Sequence, residues 1–221
     1  MMQYWPLMLK SAGTTLWLSW LAMLLGALGG TALALLRQIR FAPLRWVVIG
    51  YMEFFRSIPI LIVLFFAFYG VPLLLEVDIS PFVAATLALA LHASATMSEV
   101  VSAGIASVGR GQWEAAAAAG FSWPQTMRHI IAPQALRVIL PPSVGVFITT
   151  LKESSLASII GYIELTRTGL LVRDSTGGGF LPLLALGAVY FVINYAISQV
   201  GAALERRLHI GRRSDLVGAM A

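Results

Sequence analysis

Apolar residues fall along this chain in long runs, and polar residues are largely confined to the gaps between them. Five runs stand out, at about 14–36, 46–75, 81–108, 138–162 and 181–204. A helix needs about 20 mostly apolar residues to cross a bilayer core, so each run predicts one crossing. Strands of a membrane barrel would be about 10 residues long and would alternate strictly, and these runs do neither. The second run is interrupted by a polar island, Glu53 to Pro59. Pro59 removes a backbone donor there and predicts a kink. The start of the chain does not read as a cleavable signal peptide, because its only early charge, Lys10, precedes a run too long for an h-region. The expected architecture is an all-α integral membrane protein with five transmembrane helices, a single transmembrane domain over 1–221.

Composition supports the membrane reading. Charged residues make up 11% of the 221 and hydrophobic ones 58%, with a mean hydropathy of +0.83. A soluble domain carries roughly a quarter charged residues, so this surface could not be covered with charge. The net charge of +5 would raise nucleic-acid binding in a soluble protein; here it serves orientation instead. Arg37, Arg40 and Arg45 follow the first run, Arg110, Arg128 and Arg137 the third, and Arg206, Arg207, Arg212 and Arg213 the fifth. Ten of the fifteen basic residues therefore lie on one side, which predicts an outside N-terminus and a cytoplasmic C-terminus. The absence of cysteine excludes disulfides and thiolate metal sites.

The connector 109–135 is too long for a tight turn. Its segment Gln112 to Ala119 is a strong helix former with Glu114 near the start, where a carboxylate suits the helix dipole. Gly120 is placed to cap it. Ser122, Pro124 and Gln125 predict a second short helix that ends before Pro133. A small Ala-rich face is poorly apolar for resting on lipid and leaves room for close approach, so docking to a partner is the favoured reading.

Glu114-Ala115-Ala116, then Gly120 after three residues, then Ile130-Ile131-Ala132-Pro133 after nine more, resembles the EAA signature of ABC importer permeases. Ala132 stands where that family usually has Leu. Three further segments resemble the polar amino acid permeases of that family, the group serving histidine, glutamine, glutamate, arginine or opines. They are Tyr51 to Leu64 (YMEFFRSIPILIVL), Ser98 to Gly120, and Leu151 to Gly161 (LKESSLASIIG). The resemblance implies a MetI-like permease core in a bacterial cytoplasmic (inner) membrane. It implies two ABC ATPase subunits, which would bind ATP and Mg, and a second permease subunit, identical or related. It also implies an extracytoplasmic amino acid binding protein. On it, Glu114, Ala115, Ala116, Gly120 and Arg128 are expected at the ATPase-docking site.

This chain has no ATP site of its own, since neither Lys10 nor Lys152 follows a G-x-x-x-x-G loop. No cofactor is expected in it, and no His or carboxylate cluster has metal-ligand spacing. Ionisable groups inside the runs are the candidate substrate path, because burying a charge in lipid costs at least about 2.5 kcal/mol. Glu53 and Arg56 are three apart on one helix face and can pair. Lys152 and Glu153 are adjacent, about 100° apart on a helix, and cannot both face one partner. Ser154 and Ser155 extend that patch. Glu99 has Ser102 where the family often has Arg, which removes a possible partner. His92 could line a path or simply pack through a hydrogen bond. An ion-gradient carrier would also explain buried charges, and a regulatory or scaffolding subunit would explain the docking loop, but neither explains both.

Overall fold

The computed structural model describes residues 4–39 and 41–208, and the regular structure among them is entirely helical. Arg40, Arg212 and Arg213, used above to orient the chain, lie outside the described residues. Helix α1 (Trp5–Leu36) starts nine residues before the expected first run, with proline in its first turn, where a missing N–H costs nothing. It lies along α4 (Pro81–Ala106) through Leu18, Ala22, Gly26, Gly30 and Ala34, one buried residue every fourth position. A Cβ on Gly26 would come 2.6 Å from the Cβ of Ala93, and one on Gly30 would come 2.6 Å from that of Met97. The two backbones therefore touch, as small-residue stripes in membrane helices allow.

The second run becomes α2 (Ala42–Ser57) and α3 (Ile60–Leu75), which meet at 103°. The expected kink is thus sharper than a right angle. Ile58, forced toward the extended region by the following proline, has φ −88° and ψ 132°, and Pro59 opens the next helix. Among the described residues four helices, α1, α4, α6 (Trp123–Ser158) and α8 (Leu181–Arg207), are long and apolar enough to cross a membrane. The bent pair supplies a fifth crossing if it counts as one.

The connector after α4 folds into α5 (Arg110–Ala118), a turn, and the start of α6. Here the structure departs from expectation. The helix opening at Ser122 does not stop before Pro133 but continues for 36 residues to Ser158. A wide turn at Met127–Ile131, in which the Ala132 N–H donates to the Met127 carbonyl five residues back, precedes the proline that has no N–H to give. Pro141 and Pro142 also sit inside this helix. The fourth crossing and the second connector helix are one element. The charged segment after it forms α7 (Leu165–Ser175), which buries Leu165, Thr168, Gly169 and Val172. Helix α7 packs against α1 and α8.

Candidate functional site

Helix α5 presents one face outward. Arg110, Gln112, Glu114 and Ala115 are exposed, while Ala116 is buried and Trp113 half-buried. Met127, Ile130, Trp113, Val108 and Ile131 form one apolar cluster at this end of the molecule. Of the five residues expected at the docking site, Ala116 thus holds the helix to its own chain, and Glu114, Ala115, Gly120 and Arg128 are exposed. Gly120 has φ +77°. Its N–H bonds the Ala117 carbonyl at 3.0 Å, and that of Phe121 bonds Ala116 at 3.0 Å, which closes α5 with two crossed bonds that need a left-handed residue. The Ser122 N–H donates to Gln125 Oε1 at 2.8 Å, starting α6 as the capping box predicts. Phe121 and Trp123 are exposed beside the turn, an apolar rim that the EAA pattern does not flag.

Lys152 and Glu153 end the regular part of α6 and point to different places. Glu153 Oε2 lies 3.3 Å from His92 Nδ1 on α4. His92 is eleven residues from one end of α4 and fourteen from the other, so this contact sits near mid-helix. Together the pair lines a cavity of about 280 Å³ with Thr96, Gly145 and Thr149. Lys152 instead faces a recess of about 600 Å³ between α6 and α8, with Ser155, Tyr190, Asn194 and Tyr195. Its ammonium has no ionic partner among the described residues. Asn194 donates to the Tyr190 carbonyl at 2.8 Å, but its own Oδ1 is buried without a partner. The serines spend their hydroxyls on the helix, Ser154 on the Leu151 carbonyl and Ser155 on that of Lys152.

Glu53, Arg56 and Glu99 come together, and they gain a member that sequence reasoning had assigned to orientation. Arg37, the residue just after α1, reaches Glu99 at 3.2 Å. Arg56 reaches Glu99 at 3.6 Å and Glu53 at 3.7 Å. Glu99 is therefore bracketed by two guanidiniums from two helices, and the missing arginine at 102 is replaced from elsewhere. Glu164 is the second residue missed. It is fully buried and caps α7, accepting from the backbone N–H groups of Thr166 and Arg167 at 2.8 Å each. The Tyr190 hydroxyl of α8 donates to it at 3.0 Å and the Thr15 hydroxyl of α1 at 3.4 Å. Burial pushes this carboxyl above the usual glutamate range, against the pull of those bonds. Glutamate is not a favoured cap residue, so no local signal pointed to it.

A helix that buries one face on its own chain, leaves the other open, and joins two crossing helices is the shape the EAA resemblance implies. Residues 26–210 match the model of a family described as the inner membrane component of binding-protein-dependent transport systems. The chain belongs to this family. This inner membrane component is 34% identical over 203 residues to the probable amino-acid ABC transporter permease protein YckA of Bacillus subtilis, covering 92% of this chain and 88% of that one. It is 34% identical over 209 residues to the glutamate/aspartate import permease protein GltK of Escherichia coli, covering 91% and 93%. A solved structure described as an amino acid ABC transporter with histidines superposes with a TM-score of 0.87 at 36% identity. That match covers 94% of this chain and 96% of the other. The inner membrane component thus shares both fold and chain length with permease subunits.

Proposed function

We propose that this permease is one of two such subunits through which an ABC importer moves a polar amino acid across a bacterial inner membrane. The whole chain acts as one transmembrane domain, with the N-terminus outside and the C-terminus in the cytoplasm. The exposed Glu114 and Ala115 face of α5 carries the reading, because none of the described residues covers that face of a helix wedged between α4 and α6. The ATPase subunits, one per permease, bind ATP and Mg and dock at that face, with Arg128, Phe121 and Trp123 at its rim. Gly120 sets the turn and Ala116 anchors the helix. ATP binding biases one packing of α4 and α6 over another, and an extracytoplasmic binding protein supplies the amino acid from the opposite side. Names among the relatives, all amino acid permeases, support the substrate class.

The path runs past the His92–Glu153 cavity and the Lys152 recess. An ammonium within a crossing helix that has no ionic partner among the described residues needs an anion, and an amino acid carries a carboxylate. The test is uptake into proteoliposomes holding the complete transporter and binding protein. Glu114→Lys is expected to lower uptake and binding-protein-stimulated ATP hydrolysis together by at least tenfold. Lys152→Ala is expected to lower uptake while leaving basal hydrolysis intact. Uptake that persists on a sodium or proton gradient with a hydrolysis-dead ATPase would make the chain an ion-driven carrier instead.

A further inference from the structure

We propose that the recess between the α1–α2 connector and the docking end of α4 binds the phosphate headgroup of an anionic phospholipid. The recess has a volume of about 490 Å³ and is lined by Arg37, Gln38, Ile39, Arg45, Glu99 and Ser102, among others. Its charges do not balance. Among the described residues Glu99 is the one carboxylate in it, and it is already shared between Arg37 and Arg56. Arg45 has no ionic or hydrogen-bond partner among the described residues beyond its backbone. The Ser102 hydroxyl is closed off from solvent and has no hydrogen-bond partner either. An unpaired guanidinium beside this excess positive charge fits a group that brings one negative charge and only acceptor oxygens, which is what a phosphodiester is.

The neighbouring surface identifies the source of that phosphate. A second recess of about 260 Å³ shares Arg45 and Ile39 with the first and continues over Ala42, Trp46 and Ile49. Arg45 therefore stands between a polar pocket and an apolar trough, as a residue binding the phosphate of a lipid must. A soluble phosphate has no use for the trough. Trp46 is 71% exposed, and an indole ring settles at headgroup depth. The Arg37–Glu99 contact puts this connector at the same end of the molecule as α5, the side on which basic pockets between helices meet anionic headgroups. The bound lipid would tie the start of α2 to the ends of α1 and α4.

The test uses the intact permease–ATPase complex in phosphatidylcholine vesicles, with brominated phosphatidylglycerol or brominated phosphatidylcholine as quencher. The difference in fluorescence between wild type and Trp46→Phe reports Trp46 alone. Brominated phosphatidylglycerol is expected to quench that signal at a several-fold lower mole fraction than the zwitterionic lipid. Arg45→Gln is expected to abolish the preference and Arg45→Lys to keep most of it. Equal quenching of the wild-type signal by both lipids overturns the proposal, and this comparison needs no variant at Arg45 to fold. Relief of quenching by millimolar inorganic phosphate would also overturn it, by assigning the pocket to a soluble anion.

Discussion

Replacing Glu164 by alanine should loosen the junction of α1, α7 and α8. The carboxylate accepts two backbone N–H groups of the first turn of α7, and losing such a cap costs about 1 kcal/mol. It also accepts the Tyr190 hydroxyl at 3.0 Å, a bond to a charged group worth about 1.5–3 kcal/mol. Tyr190 keeps Thr166 Oγ1 at 2.9 Å, and Thr15 keeps the Ser11 carbonyl at 3.1 Å, so neither is orphaned and the low end of that range applies. Removing a buried charge returns part of the loss. The expected net destabilisation is about 2 kcal/mol. Glu164→Gln retains one acceptor oxygen and should cost roughly half as much. Unfolding of the purified chain by SDS titration in mixed micelles measures both. An alanine variant within about 0.5 kcal/mol of wild type, or a glutamine variant costing as much as alanine, would refute the account. The pH dependence gives an independent check. Because burial raises the folded-state pKa of Glu164, the folded chain holds this proton more tightly than the unfolded one. Its contribution is fullest below the ordinary glutamate range and falls as pH rises through the raised pKa, and Glu164→Gln should flatten that slope.

Two further outcomes follow from contacts between helices. Gly30→Leu should cost more than about 2 kcal/mol or prevent folding, because even its Cβ would meet Met97 and come 2.7 Å from the Ser94 carbonyl; Gly13→Ala, with nothing within 4 Å, should be neutral in the same titration. Glu99→Gln should cost no more than about 1 kcal/mol, since Glu99, Arg37 and Arg56 are all partly exposed, and the wild-type chain should lose the same amount in high salt. A larger loss that salt does not reproduce would mean that Glu99 is held by something other than these arginines.

Long apolar runs and a helix-forming connector were legible because each depends on neighbours in sequence. Gly120 and the Ser122–Gln125 box were legible for the same reason. The Lys152 and Glu153 side chains diverge as 100° per residue requires, and only the identity of their surroundings was hidden. What sequence could not reveal is built across the chain. Arg37 lies 62 residues from Glu99, and Thr15 lies 149 from Glu164, so nothing local marks either pair. The misplaced boundary at Pro133 has another cause. Proline forbids one backbone bond, and a single widened turn was enough to absorb that loss. The bend at Pro59 went the other way, because there the chain left helical geometry altogether at Ile58.

The continuity of α6 gives it a mechanical property that two separate helices would lack. Gly104 of α4 presses against Ile139, which lies 16 residues from Trp123 and 14 from Glu153. At 1.5 Å per residue these are arms of about 24 Å and 21 Å on either side of that close approach. The helix is a nearly balanced beam on a fulcrum. A tilt of 5° would swing the Trp123 end by about 2 Å and carry Glu153 about 1.8 Å the opposite way. That travel is large beside the 3.3 Å separating Glu153 from His92. A small push beside α5 would therefore arrive at the His92–Glu153 contact hardly diminished and reversed in sign.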